Sequence, residues 1–112
     1  MFYFKDMTET DILKTIRLRL TKYGRYFRNN TGVLKDQNGR PVKFGLAVGS
    51  SDLIGWTKTD RGAIFTAIEV KRPGKKPTEK QQNFINTVNE NGGIAFVAFS
   101  ADDAESKLIE LI

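Results

Sequence analysis

Glu69 and Lys71 close an otherwise apolar, β-branched and aromatic run, AIFTAIEVK, and Asp52 opens a shorter one, DLIGW, seventeen positions before the glutamate. Side chains alternate along an extended strand. Phe65, Ala67, Glu69 and Lys71 therefore share one face, and Ile64, Thr66, Ile68 and Val70 the other. Phe65 and Ala67 imply that the first face is covered too, which puts an acid and a lysine together at the edge of a packed layer. Two further polar groups stand on apolar helical stripes. Glu9 precedes Ile12 and Leu13 by three and four residues; Gln81 precedes Phe84, Ile85 and Val88 by three, four and seven. Each has an ordinary role to fall back on. Glu9 suits the positive end of a helix, Asp52 a turn, and Gln81 a solvated position. Glu69 and Lys71 would make an exposed ion pair worth under ~1 kcal/mol. Taken together on inward faces, three acids, a lysine and an amide do not read as a solvated surface, because buried charge is costly without a partner or a cation.

The chemistry open to such a set is hydrolysis of a phosphate diester. The scissile phosphate must be neutralised, a water activated and the leaving oxygen stabilised, and a divalent cation held by carboxylates in an open site meets those needs. Asp52 and Glu69 are hard oxygen ligands. The main-chain carbonyl of Val70 offers a third oxygen, and Glu9 a fourth, bound directly or through water. Lys71 would orient or deprotonate the attacking water, or offset phosphate charge; as a base it needs a depressed pKa. The chain has no Cys and no His, which excludes disulfides, Cys/His zinc sites, Cys nucleophiles and Ser-His-Asp triads. Oxygen ligands favour magnesium, calcium or manganese.

The elements that must position these residues are legible in outline. Thr8 caps a helix over residues 9–23, on the stripe Ile12, Leu13, Ile16, Leu20, ending at Gly24. Strands follow at 25–30, 52–56 and 63–71. The turn-rich stretch between the first two reads as a loose hairpin at most. Thr78 caps a helix over 79–91, closed by Gly92-Gly93. The apolar IAFVAFS is a buried strand, and Ser100 with Asp103 opens a last helix to residue 110. The order is α-β-β-β-α-β-α. A crossover from the strand at 63–71 to IAFVAFS implies a mixed β-sheet flanked by helices, an α/β fold. With 112 residues, the whole chain suits a single domain. No apolar run nears the ~20 residues of a membrane span. The opening MFYF is too short for a signal peptide and reads as an extra strand, with Met7 a second candidate start.

Asp followed by Glu-x-Lys across two strands is the pattern of the PD-(D/E)xK nucleases, with Ser51 where the pattern has Pro. GLAVGSSDLIGW, AIEVKRPGKKPTEKQ and FINTVNENGGIAFVAFSADDA together resemble the virus-type replication-repair nuclease (VRR-NUC) domain, over about residues 8–104. The resemblance implies the restriction-endonuclease-like fold and a divalent-metal-dependent DNA endonuclease using Mg2+ or Mn2+. It maps catalytic roles onto Glu9, Asp52, Glu69, Lys71 and Gln81, the same five residues. It also implies a bacterial or phage protein acting in the cytoplasm as a homodimer on branched DNA such as Holliday junctions. The runner-up is a non-catalytic DNA-binding module on the same fold, which would gain nothing from three carboxylates aimed at phosphates. A third is a small interaction protein whose Glu-x-Lys is incidental.

Eighteen Lys and Arg against thirteen acids give a net charge of +5, which suits a nucleic-acid partner. Arg17, Arg25, Arg28, Arg40 and Lys43 fall in the first half, and Lys75, Lys76 and Lys80 follow the Glu-x-Lys strand. Contacts from these would fix DNA through its phosphates without reading sequence. RNNTGVLKDQNGRP is expected as a flexible DNA-facing loop. Tyr3 and Trp56 fit either the core or a dimer surface.

Overall fold

The computed structural model describes residues 7–112; the strand expected over the first residues, and Tyr3, lie outside them. Thr8 closes a capping box with Asp11, each side chain taking the other's backbone N–H, and starts helix α1, Glu9–Arg19. The last turn tightens into a 3-10 turn, Leu20–Lys22, so the regular helix stops short of residue 23. Strand β1 spans Gly24–Arg28. The turn-rich stretch then forms a hairpin, β2 (Gly32–Lys35) and β3 (Pro41–Phe44). Strand β4 (Leu53–Thr59) turns into β5 (Gly62–Val70). Helix α2 (Glu79–Glu90), β6 (Ile94–Ala98) and α3 (Ala101–Leu111) complete the described chain. The expected order therefore gains two strands. The segment expected as a flexible loop is a paired hairpin whose Asp36 side chain accepts the N–H groups of Asn38 and Arg40.

Four strands form the main sheet in the order β1-β4-β5-β6; the hairpin is a separate sheet. The pairs β1/β4 and β4/β5 are antiparallel, and β5/β6, joined through α2, is parallel. Ile12, Leu13, Ile16 and Leu20 of α1 and the turn after it pack with Ala104 and Leu108 of α3 over Leu53, Ile68, Val70 and Phe96. On the opposite face Ile85 of α2 packs on Ala67 and Ala95, with Ile54, Phe84, Val88 and Val97 around them. The result is a mixed sheet between helices, the architecture expected of a restriction-endonuclease-like fold. Charge ties α1 to α3: Arg19 reaches Asp102 at 2.6 Å, Lys22 reaches Glu105 at 2.9 Å, and the Tyr23 hydroxyl donates to Glu105 at 2.6 Å.

One face is less covered than the alternation suggested. α2 lies over Ala67, but Phe65 keeps 45% of its surface exposed. Helix α2 covers β5 and β6 and reaches Ile54 of β4, but Phe27 of β1 and Trp56 of β4 stay exposed.

Candidate active site

Asp52 sits just ahead of β4, and its main chain is fixed before its side chain is used. Asn29, just past β1, donates its N–H to the Asp52 carbonyl at 2.7 Å. The Asn29 side chain donates to Ser50 Oγ at 2.8 Å and to the Ser51 carbonyl at 2.9 Å. Gly49 completes the turn with φ of +89°, a conformation L side chains rarely adopt, and its Cα lies against the Lys80 backbone at the start of α2. The turn is thus clamped between the end of β1 and α2. Asp52 Oδ2 then accepts the N–H of Val70 at 2.8 Å, which sets its carboxylate against the end of β5.

Glu69 is the residue to which this arrangement leads. It is 2% exposed, and its Oε1 has no hydrogen-bond partner among the described residues. Burial, together with the adjacent Asp52 carboxyl and its charge, pushes the Glu69 carboxyl up to about 9; Lys71 opposes the shift and Glu9 adds to it. Glu9, Asp52 and Lys71 are therefore all close enough to act on Glu69. A buried acid oxygen without a partner costs free energy unless something cationic completes it.

Glu9, Asp52 and Val70 share the walls of one cleft of about 220 Å³, with Leu13, Arg28 and Asn29. Glu9 is exposed and does not point into the core as its place on the stripe suggested. It stands in the first turn of α1, where the helix overhangs the cleft. Glu69 and Lys71 are not among the cleft's walls, and neither is Gln81. It is half-buried, and its Oε1 accepts the Thr78 N–H at 2.8 Å as the reciprocal half of a capping box. The Gly49 contact with Lys80 nevertheless brings its turn of helix beside the Gly-Ser-Ser-Asp turn. Lys71 follows β5, half-buried, its N–H bonded to the Ala98 carbonyl at 3.0 Å.

Among the described residues no three acids form a group able to hold a metal ion by themselves. The donors that fit a hard cation are Asp52 and Glu69, the Val70 carbonyl, and Glu9 acting through water. The unpartnered Glu69 oxygen supports that fit. Sequence reasoning missed Asn29, which builds the turn carrying Asp52; the paired asparagines at the end of the first strand were the available signal. It also did not foresee Ser51, buried with Oγ unpartnered.

All eight expected DNA-contacting cations are exposed. Arg28 lines the cleft. Arg17 and Arg25 hold main-chain carbonyls beside β1, Arg17 Nε that of Tyr26 at 3.1 Å and Arg25 those of Thr21 and Gly24. Arg40 and Lys43 lie in the hairpin, Lys75 and Lys76 in the loop after β5, and Lys80 in α2.

A sheet between helices, with carboxylates gathered at one end of its central strands, is the architecture of the restriction-endonuclease-like class. The family model described as the VRR-NUC domain matches residues 34–102, and the chain belongs to that family. It is thereby a DNA-processing nuclease. The matched segment holds Asp52, Glu69, Val70, Lys71 and Gln81; Glu9 precedes it, so its part rests on the cleft geometry. No curated protein and no solved structure matches the chain. Among the described residues no helix is long and apolar enough to cross a membrane.

Proposed function

We propose that the chain is a divalent-metal-dependent, structure-selective endonuclease of branched DNA such as Holliday junctions, working as a homodimer in the cytoplasm of a bacterium or a phage-infected host. The observation that carries the catalytic part is Glu69: a buried carboxyl with an unpartnered oxygen, beside Asp52 and within electrostatic reach of Lys71 and Glu9. A bound Mg2+ or Mn2+ would supply Lewis acidity toward the scissile phosphate and a lowered pKa for a water. Asp52 and Glu69 would hold it, with the Val70 carbonyl. Glu9 would orient water in the cleft. Lys71 would orient or deprotonate the attacking water, or offset charge on the phosphate. Arg28 would hold a backbone phosphate at the cleft wall. Gln81 would contribute its amide nitrogen from α2, since its oxygen is engaged in the cap.

Branched substrate and dimer rest on family resemblance and on one physical argument. A domain with one active site would cut one strand, and a two-fold pair could cut two. The hairpin exposes Leu34, Val42 and Phe44, apolar area that a second copy could bury. The test is cleavage of labelled four-way junction, flap and linear duplex DNA with Mg2+ or Mn2+ and with chelator. Junction cutting that chelator abolishes is expected. Tight binding with no cutting of any substrate would leave a DNA-binding module instead.

A further inference from the structure

The open half of the main sheet carries aromatic rings where a core would normally be covered. Phe27, Trp56 and Phe65 are 48%, 40% and 45% exposed. They form a row across three strands: Trp56 pairs with Phe65 on one side and Arg25 on the other, and Phe27 pairs with Ile54. The Phe27 and Trp56 rings lie 5.8 Å apart, tilted at 48°. Contiguous exposed apolar area of this kind marks a binding surface.

Its surroundings are cationic. The groove on one side of β1 is lined by Lys14, Arg17 and Arg25 with Phe27, and the groove on the other by Lys22, Arg25 and Lys58 with Trp56; neither has an acid in its lining. Lys22 is paired with Glu105. A second copy docked here by a two-fold axis would set like charges against each other. A polyanion would neutralise them. Aromatic rings on a sheet face, flanked by Arg and Lys, are how unpaired nucleotides are held: bases stack on the rings while cations track the phosphates.

By strand alternation the row shares its sheet face with Glu69, beside which Asp52 sits. Phe27 precedes Asn29, a cleft wall, by two residues. Trp56 follows Asp52 by four, about 13 Å along a strand at ~3.3 Å per residue. We infer that Phe27, Trp56 and Phe65, with Arg25 and Lys58, form a stacking platform for an unpaired stretch of the DNA strand that enters the cleft. The inference takes DNA as substrate from the nuclease reading and adds to it a requirement for unpaired bases beside the cut.

Trp56 is the sole tryptophan, so its emission reports on the platform directly. The full chain is titrated in chelator with oligothymidylate and with blunt duplex. Saturable quenching by oligothymidylate, weakened by salt, is expected. Phe27→Ala and Phe65→Ala keep the reporter and should each weaken oligothymidylate binding roughly fivefold to a hundredfold, with duplex affinity unchanged and the melting transition retained. Two results would overturn the platform. One is unchanged Trp56 emission when anisotropy shows the labelled oligonucleotide bound. The other is emission that varies with protein concentration alone, with Phe27→Ala dissociating a dimer. No cleavage enters this test, so the platform and the nuclease reading can fail separately.

Discussion

Glu69 holds its proton at neutral pH because its surroundings disfavour a second negative charge beside Asp52. Its carboxyl is raised from 4.5 to about 9 by burial first and by Asp52 second. Between those values the folded chain keeps a proton that the unfolded chain has lost, so this contribution to stability is full below about 4.5 and is lost as pH rises toward about 9. In chelator, melting temperature should fall across that window, and Glu69→Gln should remove the fall. A pH profile identical in the wild type and the variant would contradict this. Mn2+ should favour the ionised form, so its binding near neutral pH should release protons, measurable by calorimetry in buffers of different ionisation enthalpy. The burial of Glu69 on the face of Phe65 and Ala67 was legible in the sequence because strand alternation is strict; Asp52 stands ahead of β4, where alternation does not place it. Glu9 and Gln81 were less legible. A side chain in the first turn of a helix can turn to solvent or to an orphan N–H, and Gln81 meets that of Thr78.

The elements hold the site through contacts only partly visible in the residue pattern. Caps at Thr8, Thr78 and Ser100 were readable because Ser and Thr followed by an acid or amide three residues on satisfy orphan amides in a stereotyped way. The hairpin of β2 and β3 was readable only as a loose one, because its apolar residues face outward and no buried period marks its strands. The chain of hydroxyls inside the sheet was not readable. Tyr26 bonds Thr57 at 2.8 Å, Thr57 bonds Thr66 at 2.7 Å, and Thr66 donates to the Ile64 carbonyl at 3.0 Å. Thr57 is 0% exposed, inside a strand that runs to Thr59, whereas the strand expected from sequence ends at Trp56 and leaves Thr57 outside it. Thr57→Val should cost ~1–3 kcal/mol by leaving two buried hydroxyls short of a partner, read by urea unfolding. A neutral effect would mean that the chain of hydroxyls contributes nothing net. Gly49→Ala should cost ~1–2 kcal/mol through its left-handed backbone. It should also cost activity, because the added methyl would meet the Lys80 backbone that clamps the turn carrying Asp52.

Across the whole molecule, positive charge is spread over several elements, with Arg28 at the cleft itself. The net charge is +5, and cations lie beside β1, in the hairpin and in the loop after β5. DNA affinity should fall steeply with salt. Lys75→Ala and Lys76→Ala should each lower the slope of log affinity against log salt by about 1, uniformly across sequences; an unchanged slope would place the DNA elsewhere. In the proposed function Glu69 serves catalysis as an ionisable ligand and is not there for the fold. Gln resembles the neutral carboxyl that the folded chain already holds, so Glu69→Gln should keep the fold and lose only the capacity to ionise. The most direct measurement is therefore the rate of Mn2+-supported cutting of a labelled four-way junction by wild type and Glu69→Gln at matched folded concentration. A loss of about a hundredfold or more, with junction binding retained, is predicted. Equal rates would contradict the account and move the catalytic centre away from β5.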